Sequence, residues 1–317
     1  MAKFLIKRLL SGILTLFIIL TLVFFMVRIV GGNPVYHMLD PEDITPETVA
    51  EMSHELGLDR PLIVQYASYL WDILHGNWGT SYFNYQNVAD NMLMRWEPTL
   101  LLTVLAVAIK VFIGIPLGVI SASHRNSPLD YSVSTVTLIL QTAPSFFLAL
   151  MAMYLLAFKC GAFPLRGYAY IGEKGLLESL RYLALPSLAL ALPSLAGICR
   201  HTRSAFLGVM KEDYVRTAKA KGLPRFKVLY KHTLKNSISI ISSIITSNIA
   251  ALLGGSVVIE RVFSIEGIGK LTLDSLHRRD YQQVQFCVLA LAAIYVAINI
   301  IQDIIYKLID PRIDFTN

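Results

Sequence analysis

Residues 213–224 read Asp-Tyr-Val-Arg-Thr-Ala-Lys-Ala-Lys-Gly-Leu-Pro, and their types and spacing suit mechanical docking better than bond chemistry. Ala218 and Ala220 keep a helix slim, Gly222 can take the left-handed conformation that closes one, and Pro224 can begin the next element. Asp213, Tyr214, Arg216, Thr217, Ala218, Lys219, Ala220 and Gly222 are therefore candidate docking residues on a short basic rod that could enter a cleft of a soluble protein. The same composition also suits a solvated, positively charged loop on the inner face of a membrane.

Other groups with chemical potential are few. Lys110 sits inside a long apolar run, where a bare ammonium costs on the order of 2.5–3.5 kcal/mol on insertion scales. It must therefore face a hydrated cavity or a partner's carboxylate, or else snorkel towards an interface. Gly267-Ile268-Gly269-Lys270-Leu271 is the nearest approach to a phosphate-binding loop. It lacks the distal glycine and the Ser/Thr after lysine that phosphate and Mg²⁺ binding require, so the chain itself is expected to bind no ATP and no other cofactor. Neither an H-E-x-x-H pair nor a G-x-S-x-G elbow occurs. Cys160, Cys199 and Cys287 are odd in number and two lie in apolar runs, which gives no disulfide framework and no metal cluster. No catalytic residue emerges.

The elements that must hold these residues are membrane spans. Of 317 residues, 55% are hydrophobic and 16% charged, far more apolar than a soluble domain of this length. A helix needs about 20 mainly apolar residues to cross the hydrocarbon, and six stretches qualify. They run from Leu9 to Val30, Pro98 to Ile120, Ser132 to Phe158, Tyr182 to Cys199, Ile238 to Ile259 and Val284 to Tyr306. The expected fold is an all-α membrane protein with about six transmembrane helices. Lys and Arg are more than twice as dense in the odd-numbered flanks (1–8, 121–131, 200–237, 307–317) as in the others, which places both termini in the cytoplasm. The net charge of +6 thus reports topology and argues against nucleic acid as a partner. The first span follows Lys3, Lys7 and Arg8 without an Ala-x-Ala site and reads as an uncleaved anchor.

Three regions follow: an anchor and first span (1–30), an outer segment (31–97), and a five-helix core (98–317) with an inner loop at 200–237. The outer segment holds ten carboxylates against Arg60 and Arg95 and is too long for a plain turn. Thr45-Pro46-Glu47 predicts a helix start and Gly57 its close; a second helix is predicted from Pro61 to the stop at Gly76. It forms either a cap on the bundle or a docking surface for an external partner. Pro186 and Pro193 predict kinks in the fourth span. Ser239, Ser243, Ser247, Ala251 and Gly255 recur every four residues along the fifth. That stripe allows close helix packing or lines a polar path, so Lys110, Ser243, Ser247, Gly254 and Gly255 are candidate path residues. Carboxylates are nearly absent from the spans, which argues against a self-powered, proton-coupled carrier.

The sequence resembles the oligopeptide, dipeptide and nickel family of ABC-importer permeases, of the type with a long outer segment after its first span. The likeness covers nearly the whole chain. The family's loop signature is Glu-Ala-Ala, three residues, then Gly; Arg216, Thr217, Ala218 and Gly222 stand there, keeping the last Ala and the Gly. Further matches are Leu56-Gly57-Leu58-Asp59-Arg60-Pro61-Leu62, Gly114-Ile115-Pro116-Leu117-Gly118, Pro144 with Phe146, and Glu260-Arg261-Val262-Phe263 with Gly267-Ile268-Gly269. Arg279-Asp280-Tyr281 and Asp310-Pro311-Arg312 also match, whereas Glu266 and Gln282 replace usual prolines. The resemblance implies a type I importer fold in the bacterial inner membrane and a heterodimeric pore with a second permease subunit. It also implies two cytoplasmic ATPase subunits carrying ATP and Mg, and an external substrate-binding protein. Peptides are the expected cargo, with nickel or another small solute as the alternative. A nucleotide-independent channel and a membrane scaffold or enzyme are the readings from other classes.

Overall fold

The computed structural model describes residues 2–224, 227–229, 233, 254 and 256–309. Among them the chain is helical, with one isolated antiparallel bridge between Thr80 and Asn87. Four helices are long and apolar enough to cross a bilayer: Ile6–Ile29, Trp96–Ser123, Leu176–Val209 and Tyr281–Ile301. A bent pair, Pro128–Thr142 and Ser145–Lys159, is long and apolar enough to make a fifth when its two arms are taken as one span. The predicted fifth span lies largely outside the described residues, as do Ser243, Ser247 and Gly255.

The chain divides into two compact units, 1–97 with 267–297 and 98–266 with 298–317. The sequence reading drew its boundary at 98 and kept the last span whole with the core. Instead, the start of that span groups with the N-terminal segment. Polar side chains explain the grouping. Ser81 Oγ donates to Asp280 Oδ2 at 2.5 Å, Asn91 Nδ2 donates to Gln283 Oε1 at 2.9 Å, and Tyr281 donates its hydroxyl to the Gly32 carbonyl. Burial pushes the Asp280 carboxyl above its ordinary range, opposed by the Ser81 hydroxyl. Gln282, standing where the family usually has proline, accepts from the Thr80 amide at 2.8 Å.

Within this first unit, α1 (Ala2–Gly31) is followed by α2 (Pro46–Glu55) and α3 (Leu62–Leu74). Thr45 caps α2 by accepting from the Thr48 amide at 3.2 Å, as the Thr-Pro start predicts. Gly57 (φ +64°) ends it, with the Leu58 amide reaching back to Ser53 O at 2.8 Å. Gly76 (φ +77°) closes α3 in the same way, through Asn77 N to Asp72 O at 2.9 Å. Next comes α4 (Val88–Leu93), and α5 (Trp96–Ile109) starts at the boundary.

The second unit is built on α5, a π-helical turn at Lys110–Gly114, α6 (Ile115–Ser123), α7 (Pro128–Thr142), α8 (Ser145–Ala152) and a second π turn at Met153–Lys159. The short α9 (Ile171–Lys174) precedes α10 (Leu176–Val209), and α11 (Asp213–Ala220) follows it. The first π turn ends just before Pro116, whose missing N–H leaves the Phe112 carbonyl without its usual helical donor. Gly114 and Gly118 put two Cβ-free positions against α10. A Cβ on Gly118 would stand 2.6 Å from the Cys199 carbonyl oxygen, and one on Gly114 3.1 Å from Ile198 Cγ2. The two glycines thus allow backbone contact of the small-xxx-small kind.

Two expectations change. The third span is not one helix: α7 and α8 meet at 100° because Ala143, preceding Pro144, is driven to extended geometry (φ −76°, ψ 128°). The fourth is longer than predicted, with α10 running through both Pro186 and Pro193 and continuing to Val209. Buried Leu102, Ala106, Leu183, Ala189, Ile259 and Phe263 form its apolar centre. The chain closes with α12 (Ile268–Arg278) and α13 (Tyr281–Ile309).

Candidate coupling and translocation site

The basic rod is present as α11, bounded as its sequence dictates. The Val215 and Arg216 amides bond to Glu212 O at 3.0 and 3.2 Å and start the helix. At its other end Gly222 takes φ +73°, and the Leu223 amide reaches Ala218 O at 3.3 Å. This is the six-to-one closure that a left-handed glycine permits. Leu223 then packs back on the helix it closes.

One face of α11 is apolar and inward. Val215 and Ala218 are buried with Val228 and packed against Val209 and Leu223. Ala218, only 5% exposed, therefore fixes the rod to its own chain and does not face outward. Asp213, Tyr214, Arg216, Thr217 and Ala220 are exposed, and Arg216 pairs with Asp213 at 3.4 Å. Thr217 bonds back to the Asp213 carbonyl at 2.9 Å and stiffens the turn. The Lys219 side chain is outside the described residues. An outward polar face on a rigid stub can present hydrogen bonds and charge without rearranging.

The stub is continuous with the span bundle. Val209, against which α11 packs, is the last residue of α10, and Phe206 one turn earlier is buried with Val119 and Ala122 of α6. A further turn back, Arg203 makes a two-pronged contact with Asp130 of α7: Nε to Oδ1 at 2.9 Å and a terminal nitrogen to Oδ2 at 2.8 Å. Ser121 of α6 donates to the same carboxylate, and so does the Asn126 amide at 2.9 Å. One buried carboxylate thus holds α6, α7 and α10 together. Beside it is a cavity of about 380 Å³ whose lining includes Ser134, Thr137, Gln141 and Arg200, with Arg200 donating to Gln141 at 2.6 Å.

Asp130, Arg203 and Ser121 were not singled out from sequence. A local signal existed, since Ser127-Pro128 opens a helix with Asp130 in its first turn. Their convergence across 73 residues was not readable. Lys110 lies elsewhere in this unit, on the π turn, and is 1% exposed. It neither snorkels to an interface nor opens to bulk solvent here. Among the described residues its Nζ has no hydrogen-bond partner. Removing an unsatisfied buried donor recovers its desolvation cost, so Lys110→Met is expected to stabilise the protein by about 1–3 kcal/mol. Denaturation in detergent reads this, and an equal or lower midpoint would reveal a counter-ion in the assembled protein. Gly254, also marked as a path candidate, is exposed with open space where a Cβ would stand.

The sequence is similar to known proteins over its whole length. A family described as binding-protein-dependent transport system inner membrane component matches residues 114–315, and that family's N-terminal component matches residues 1–103. A probable peptide ABC transporter permease protein of Sinorhizobium fredii is 35% identical over 99% of this chain and 100% of its own length. The oligopeptide transport system permease protein AppB of Bacillus subtilis is 34% identical over 99% and 100%. In fold, the chain is similar to an inward-facing structure of the MetNI methionine ABC transporter, with a TM-score of 0.57, 19% identity, and coverage of 69% of this chain and 96% of that one. With the apolar helices described above, these matches make the protein a multi-pass inner-membrane transport subunit. The chain belongs to the family of binding-protein-dependent transport system inner membrane components.

Proposed function

We propose that this chain is one permease subunit of an ATP-driven peptide importer, forming half of the translocation path. A second permease subunit supplies the other half, two cytoplasmic ATPase subunits bind ATP and Mg, and an external binding protein delivers the peptide. Both termini face the cytoplasm in this reading. The observation that carries it is α11: a rod fastened by its apolar face to α10, with its polar face turned outward. The full-length likeness to relatives named as peptide permeases supports the cargo.

On nucleotide binding the ATPase pair closes and displaces α11. Because Val215 and Ala218 are packed on the end of α10, the rod cannot move without that helix. Arg203 and Asp130 pass the displacement to α6 and α7, and the Gly114–Gly118 contact lets α5–α6 and α10 travel together. The bundle has two packed arrangements, open to one side or the other, and ATP biases between them. The cavity beside Arg200 lies at the inner end of this path.

Thr217→Cys tests the reading, with the exposed Cys160 changed to Ser. In the reconstituted complex a thiol crosslinker from this position is expected to capture an ATPase subunit, with yield altered by ATP. Products confined to lipid or solvent during active import would remove the docking role. Transport by the purified chain alone would indicate a channel.

A further inference from the structure

The outer segment contains a helix whose surroundings are set by its depth along α1. Its rings pack within α1's apolar span, Ile6–Ile29. The Tyr66 and Tyr69 rings lie 5.1 and 5.3 Å from Phe24, and Tyr66 lies 5.3 Å from Phe25. The Tyr66 hydroxyl reaches Thr21 Oγ at 2.6 Å, eight residues short of the span's end, or about 12 Å at 1.5 Å per residue. The upper limit is equally clear. Gln65 accepts from Arg28 Nε at 2.9 Å, and the Arg28 guanidinium carbon stands 3.7 Å over the Phe24 ring and 5.3 Å from Tyr281, the first residue of the span that begins at that level. Thus α3 lies beside the last turns of one span and the start of another, not above them.

Its side chains sort into three arcs at about 100° per residue. Gln65, Tyr66 and Tyr69 face α1. Ser68, Asp72 and His75 form an exposed polar arc. Across from α1 is an exposed apolar arc of Ile63 (77%), Val64, Ala67, Trp71 (65%) and Leu74 (80%). Asp72 is the sole charge in the thirteen residues of α3. The apolar arc lies at the depth of α1's own exposed apolar residues, Leu22 and Met26 among them. Water does not occupy that level of a bilayer.

We propose that α3 lies in the membrane interface at the leaflet where α1 ends, with Ile63, Trp71 and Leu74 among lipid acyl chains and Ser68, Asp72 and His75 in the headgroup layer. Tryptophan suits that boundary because its ring is apolar and its N–H can meet headgroup oxygens. The helix then braces the outer end of α1 laterally, through lipid on one side and Tyr66 and Tyr69 on the other.

The complete complex, reconstituted in phosphatidylcholine vesicles, tests this. With Trp78→Phe and Trp96→Phe only Trp71 remains in this chain, and its signal is the emission lost when Trp71→Phe is added; phosphatidylcholine brominated on its acyl chains is expected to lower that signal roughly twofold or more, as for an interfacial ring. Aqueous acrylamide should quench it weakly. Should those tryptophan replacements disturb folding, Leu74→Cys in a Cys160→Ser background carries a nitroxide at a position with no packing to lose. Its collisions should then favour oxygen over an aqueous nickel chelate. Indifference to brominated lipid together with free access for the aqueous reagents overturns the proposal. So does aqueous access that disappears only when the external binding protein is added, because the occupant of the arc is then that protein.

Discussion

Asp130→Ala is expected to destabilise the protein by about 3–5 kcal/mol and to abolish peptide uptake, a larger effect than any single change in α11. The size follows from what remains behind. Asp130 is buried and Arg203 half-buried, so truncating the carboxylate strands a charge and two further donors together, and that penalty exceeds the net value of the pair itself. Without the carboxylate, the Arg203 guanidinium loses both contacts, and the Ser121 hydroxyl and Asn126 amide lose their acceptor. Three helices then lack a shared anchor at the level where α10 continues towards the rod. Asp130→Asn should fall between, because an amide oxygen can still accept while the charge and the fork-to-fork geometry are gone. Arg203→Lys should resemble it, since an ammonium cannot make the two-pronged contact. Unfolding in detergent with parallel uptake reads all three. A midpoint for Asp130→Ala within about 1 kcal/mol of the parent would show that the cluster is dispensable.

Gly222→Val is expected to leave assembly in the membrane intact and to reduce peptide-stimulated ATPase activity by roughly tenfold or more. At φ +73° an L-residue costs about 1–2 kcal/mol, and a β-branched one more, so the closure of α11 opens in favour of an extended exit. A population penalty of 1.4 kcal/mol is a factor of ten in any step that requires the closed rod. Open space surrounds the glycine, so backbone strain rather than collision is the cause. Gly222→Asn should therefore recover much of the loss, because asparagine tolerates the left-handed region. Equal impairment by Val and Asn would point instead to a contact between this position and the ATPase. The parent's ratio of ATP hydrolysed to peptide moved is the reference for both.

Local rules carried much of the fold. Thr45 and Gly57 bounded α2, Gly76 stopped α3, and Gly222 closed α11, because cap chemistry acts over four or five residues and leaves its mark in sequence. The apolar lengths located the spans carried by α1, α5 with α6, α10 and α13 for the same reason. What escaped was anything set by a distant residue or by a neighbour's backbone. The break at Ala143 follows from Pro144, yet its 100° angle depends on packing that no window of sequence contains. The extension of α10 to Val209, well past its apolar run, is likewise set by packing against α6 and α7. Ala218 was read as a docking residue from a motif, whereas its burial depends on Val228 and Val209 folding back to meet it. Asp130 was passed over entirely. A lone carboxylate near a basic loop looks solvated until three helices converge on it.

The right-angled join between α7 and α8 bears on how the protein is made. Each arm ends in peptide groups that a helix cannot satisfy from within, and hydrocarbon supplies no substitute donors or acceptors. A segment of this shape is therefore poorly suited to leave the insertion machinery sideways as a simple rod. At the elbow, neighbouring helices, side chains or water must meet those peptide groups before the segment can rest within hydrocarbon.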